Sequence, residues 1–111
     1  MSHLVAKESS SDRGITVLVK RLFHTDSTKI AQEIATKLFS LLQTCSAKRF
    51  DKKKVEEETC FTWFFSLELN HRRYFGTIKQ FYGGHSVVFY ITLPSCFSTS
   101  DRNMIVRRWN E

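Results

Sequence analysis

The longest periodic stretch lies in the first half of the chain. Ile30, Ala31, Ile34, Ala35, Leu38, Leu41 and Leu42 recur at intervals of three and four. At 3.6 residues per turn they share one apolar stripe, while Lys29, Gln32, Glu33, Thr36 and Lys37 fall elsewhere. Asp26 or Ser27 stands just ahead, where a short side-chain oxygen satisfies a free backbone N–H. The pattern predicts an amphipathic helix packed on a sheet.

From Phe61 the period changes to two. Phe61, Trp63, Phe65, Leu67 and Leu69 alternate with Thr62, Phe64, Ser66 and Glu68, which predicts a strand. Asn70-His71-Arg72-Arg73 is polar and predicts a turn. Tyr74–Tyr82 and His85–Leu93 predict two further strands, joined at Gly83-Gly84, where glycine accepts positive φ at little cost. The β-branched run Ile15–Val19 predicts another.

The remaining segments are less patterned. Residues 1–13 are polar with a Ser run and read as a flexible tail, with 14–111 as a single domain. Lys48–Glu58 sets a basic block beside Glu56-Glu57-Glu58, which suits a solvated loop or helix surface. Ser95–Asn103 is small and polar and reads as a loop, and Met104–Trp109 as a last strand in preference to a short helix.

These elements amount to an α+β class: an antiparallel sheet of four to five strands on one or two helices. Large apolar residues occur on both faces of that sheet, with Phe64 opposite Trp63 and Phe65, and Val87 to Tyr90 in succession. One helix covers one face, so the second face calls for a second subunit. An accessible sheet edge can also accept a peptide as an added strand.

Composition narrows the classes. A chain of 111 residues with 41% hydrophobic residues suits one domain with a core of its own. Cys45, Cys60 and Cys96 are odd in number and widely spaced, which argues against a disulfide framework or a clustered metal site and for reduced thiols in the cytoplasm or nucleus. Neither a secretory apolar segment nor a run of membrane-spanning length occurs, so no membrane partner is expected. The net charge of +6 permits nucleic acid or acidic partners.

Enzyme chemistry finds little footing. His3, His24, His71 and His85 stand in no motif with Cys or Asp, the acids cluster in one run, and Gly83-Gly84 lacks the Lys-Ser/Thr of a phosphate loop. No catalytic residue, metal or cofactor is therefore assigned. Tyr74, Phe75, Lys79, Phe81 and Tyr82, beside Arg72 and Arg73, form an aromatic and basic set of the kind that stacks single-stranded bases. A nucleic-acid-binding domain is the second reading.

Phe75-Gly76-Thr77, followed by His85, Val87, Phe89, Tyr90 and Ile91, resembles the end of the eight-kilodalton, peptide-binding type of cytoplasmic dynein light chain. Thr62-Trp63, Lys48-Arg49-Phe50-Asp51-Lys52-Lys53 and Val17-Leu18-Val19-Lys20 resemble shorter pieces of that family, so the likeness spans about half the chain. It implies a non-enzymatic cytoplasmic adaptor, cytoskeletal or nuclear, built as a homodimer that binds partner peptides by β-strand addition. The partner would be a dynein intermediate chain or a subunit of another complex, on microtubules or elsewhere. It places Phe75, Gly76, Thr77, Ile78, Lys79, Gln80, Val88 and Tyr90 along the peptide groove, and Trp63, Phe64, Phe65 and His85 at the dimer interface. Phe64 stands where the family has a titrating His, so no pH-controlled dimer is expected. Gln80-Phe81 replaces its Thr-His, which implies a different peptide preference.

Overall fold

A computed structural model describes residues 4–19, 27–45, 53–59, 62–83 and 86–111, with side chains at 4–19, 28–42, 62–81 and 87–111. Six strands and two helices follow in the order β1 (Leu4–Glu8), β2 (Gly14–Val19), α1 (Ser27–Cys45), β3 (Lys53–Thr59), β4 (Thr62–Leu69), β5 (Arg72–Gly83), β6 (Ser86–Thr92) and α2 (Thr99–Trp109). The strands form one antiparallel sheet in the order β1-β2-β6-β5-β4-β3. The class is thus the expected α+β, with two helices and an antiparallel sheet.

The sheet is wider than expected because two further segments join it. Residues 4–8, read as tail, pair with β2, with Ala6 opposite Val17. Residues 53–59, read as loop or helix surface, pair with β4, with Val55 opposite Phe65 and Glu58 opposite Trp63. Both are end strands, where one edge pairs and the other faces outward. The turn between β4 and β5 is shorter than expected. Asn70 and His71 alone make it, with φ of 52° and 63°, which is the left-handed pair that a two-residue hairpin requires. Arg72 and Arg73 already belong to β5.

The predicted helical stripe is the buried face of α1. Ile30, Ala31, Ile34, Ala35, Leu38, Phe39 and Leu42 join one core with the inward residues of the sheet. Those are Ala6, Ile15, Val17 and Val19, then Val87, Phe89 and Ile91, then Ile78, and finally Trp63, Phe65 and Leu67. Phe39 meets Phe65 edge-on at 5.7 Å between ring centres, and Trp63 lies 6.0 Å from Phe89.

The C-terminal segment is a helix, not the strand favoured by its β-branched run. Ser98 caps it: its side chain accepts from the Asp101 N–H at 3.2 Å, while Asp101 accepts from the Ser98 N–H at 3.0 Å. Arg107 and Arg108 in the last turn suit the negative end of the helix dipole. Ile105, Val106 and Trp109 enter the same core as α1, so both helices cover one face of the sheet.

Candidate interaction surface

Residues alternating with the core residues point to the other face of the sheet, which no described element covers. Val5 is paired with Leu18, Leu18 with Val88, and Val88 with Phe81. Those four make an apolar row across four adjacent strands. Leu18 is 37% exposed and Phe81 53%, and Phe75, further along β5, is 57% exposed. Values of this size are unusual for Phe, which normally lies inside.

Beside the apolar row runs a mixed one: Lys7, Thr16, Tyr90, Lys79 and Thr62 in register. Lys7 and Lys79 are exposed. The Tyr90 ring lies over Gly14, where an added Cβ would meet the phenol oxygen at 2.2 Å, and that oxygen is hydrogen-bonded to Ser9 Oγ at 3.0 Å. A side chain at Gly14 would collide with the Ser9 hydroxyl and the tip of the Tyr90 ring, which are bonded to each other over it. The face therefore presents aromatic and aliphatic side chains with lysines set among them.

The expected groove residues lie on both faces of the sheet. Strand alternation sends Phe75, Thr77 and Lys79 to the open face, with Val88 and Tyr90 from β6 beside them. It sends Gly76, Ile78 and Gln80 inward, where Ile78 and Gln80 are buried. β5 pairs with β4 over Arg72–Lys79 and with β6 over Thr77–Gly83, so only Thr77, Ile78 and Lys79 have a strand on both sides, while Arg72–Gly76 has no described strand partner on its β6 side. Gly76 does permit a close approach, but the approaching group is the Phe65 ring of the same chain.

The expected dimer-interface set divides as well. Trp63 and Phe65 are buried within the chain's own core. Phe64 is half-buried on the open face, and His85 lies outside the described residues, as do Phe61, the helix cap at Asp26 and the segment 46–52.

The two ends of the sheet differ. At β1, the Asn110 side chain grips the outward backbone of Ala6: the Ala6 N–H donates to Oδ1 at 3.0 Å and Nδ2 donates to the Ala6 carbonyl at 2.7 Å. Trp109 Nε1 donates to the Leu4 carbonyl at 3.3 Å. Arg102, nine-tenths buried, donates to the carbonyls of Ser9 and Ser11 in the following turn. α2 thus closes that edge. At β3, no described strand pairs with the outer edge.

Two shallow grooves lie elsewhere. One, of about 500 Å³, is lined by Leu4, Glu33, Thr36, Lys37, Ser40 and Leu41; the other, of about 370 Å³, by Glu8, Ser100, Asn103, Met104 and Arg107. Neither contains a His or Cys, and no group of three metal-ligating side chains occurs among the described residues. No described helix is long and apolar enough to cross a membrane. No family model matches the chain, and neither a curated protein nor a solved structure matches it.

Proposed function

We propose that this chain is a non-enzymatic protein-binding adaptor whose partner docks on the open face of the sheet. One observation carries the reading: Leu18, Phe75 and Phe81 are exposed on one face while both helices cover the other. Apolar surface left in water forgoes about 25 cal/mol per Å², which a partner covering it recovers. Lys7 and Lys79 beside the apolar row favour a partner segment with acidic residues flanking apolar anchors. The resemblance to dynein light chains adds a cytoplasmic setting, with a dynein intermediate chain or a subunit of another complex as the partner. β-strand addition on β5 would use the β6 side of Arg72–Gly76, which has no described strand partner.

The experiment compares the proteins that co-purify with the intact chain and with its F75S/F81S variant after nuclease treatment. A specific protein depleted about tenfold or more by the variant is the expected result, since each aromatic anchor contributes more than about 1 kcal/mol. An unchanged set of co-purifying proteins removes the open face from the binding role.

Single-stranded nucleic acid is the second reading, favoured by Tyr90 and Lys79 lying side by side in register. A labelled oligonucleotide shifted at low salt, with binding that falls steeply as salt rises, would carry it in place of the first.

A further inference from the structure

We infer that the chain forms a homodimer through the outer edge of β3, which no described strand occupies, two copies pairing antiparallel about a two-fold axis so that two six-stranded sheets become one. The inference goes beyond the open-face reading and does not rest on it.

The starting point is the unequal treatment of the two sheet ends. Asn110 and Trp109 occupy the outward backbone groups of β1. The outer edge of β3 has no strand partner among the described residues. An unpaired strand edge is a template for another strand, and what it accepts depends on its side-chain pattern.

That pattern is self-complementary. β3 reads Lys53-Lys54-Val55-Glu56-Glu57-Glu58-Thr59. Set antiparallel against a second copy, Lys53 meets Glu58 and Lys54 meets Glu57, and the two-fold repeats both pairs. Parallel pairing would instead stack Lys on Lys and Glu on Glu. Charges on an edge strand repel an arbitrary neighbour, but this arrangement admits its own copy.

The bulge makes the pairing geometrically consistent. Directly opposed residues in an antiparallel pair share a face, and a two-fold normal to the sheet preserves faces. In an unbroken strand, positions 53 and 58 would fall on opposite faces because side chains alternate. β3 is irregular between Val55 and Glu57, so Glu56 is an extra residue. Lys53 stands opposite Leu67 and Glu58 opposite Trp63, both at helix-side positions. Lys54 stands opposite Ser66 and Glu57 opposite Phe64, both at open-face positions. Each Lys thus shares a face with the Glu it would meet, and the bulge lies at the axis. Without the extra residue the charge match and the face match could not both hold.

Sedimentation equilibrium on the full chain tests this at micromolar concentration. Wild type is expected to be a dimer whose dissociation constant rises with salt. K53E/K54E and E57K/E58K each place like charges in apposition and should raise that constant about tenfold or more, because cross-strand pairs turn from attractive to repulsive. An equimolar mixture of the two should restore a heterodimer. The fourfold variant carrying both reversals should restore a homodimer by itself, which decides the matter even if one double variant does not fold. F75S/F81S should dimerise as wild type does. A monomeric wild type overturns the inference. So does a folded fourfold variant that stays monomeric, or double variants that dimerise as tightly as wild type.

Discussion

The ring of Phe65 lies directly against the backbone of Gly76. A Cβ placed at position 76 would come within 2.2 Å of Phe65 Cζ and within 2.8 Å of both Cε atoms. Phe65 has no room to yield: it is fully buried, directly opposite Gly76 across the β4–β5 pair, with Phe39 edge-on against it. Gly76→Ala is therefore expected to destabilise the fold by about 1–3 kcal/mol through overpacking, read as a lower denaturant midpoint. Phe65→Leu combined with Gly76→Ala should cost less than the two single changes added together, because the smaller side chain admits the new methyl. An alanine variant as stable as wild type would show that the ring does not occupy this position.

Asn110 substitutes for the missing neighbour of an edge strand. Its amide satisfies both the N–H and the carbonyl of Ala6, and Ala6 itself is buried. Asn110→Ala should destabilise the chain by about 1–3 kcal/mol, with both backbone groups losing their partners. Hydrogen exchange gives the sharper reading. The Ala6 amide should lose protection in the variant while amides in β5 keep theirs. Equal exchange at Ala6 in both proteins would mean that water serves as well as the side chain.

Exposed and buried residues of β5 should separate cleanly. Phe75 and Phe81 face solvent, whereas Ile78 between them is fully buried. Phe75→Ser and Phe81→Ser are expected to change unfolding free energy by no more than about 0.5 kcal/mol each. Ile78→Ser should cost several times as much, since it removes buried carbon and leaves a hydroxyl in the core. Thermal unfolding of the three variants checks this. A large loss at Phe75 or Phe81 would give those rings a folding role and weaken the case for a partner.

Periodicity made α1 and β4 readable, because each carries its own core stripe. Leu38 and Leu42 on the helix, and Trp63, Phe65 and Leu67 on the strand, are buried where alternation or helical spacing puts them. β1 and β3 were not readable in the same way. Their pairing depends on β2 and β4. The signal for α2 was present but local: Ser98 and Asp101 are three apart, ahead of Met104-Ile105-Val106, and that reciprocal cap outweighs the β-branched run. The position of β5 inside the sheet was not readable at all. An alternating strand looks the same whether it lies at an edge or between two neighbours, and β5 is both: Thr77–Lys79 lies between two strands, while Arg72–Gly76 is paired on one side only.

The β4–β5 turn offers a test of backbone conformation by itself. His71 is exposed and sits at φ 63°, beside Asn70 at φ 52°. A left-handed conformation costs an L-residue roughly 1–2 kcal/mol; Asn tolerates it through its short polar side chain, and a β-branched residue tolerates it poorly. His71→Val should therefore lower stability by about 1–2 kcal/mol. His71→Gly should raise it, by less than about 1 kcal/mol, because glycine removes the steric cost but adds freedom to the unfolded chain. Neither change touches the core, since Leu69 and Arg72 already close the pair on either side of the turn. Denaturant midpoints in the order Val, His, Gly from lowest to highest are the expected result. A different order would mean that the hairpin closes through another turn, and the β4–β5 register that places Gly76 opposite Phe65 would then have to be re-examined.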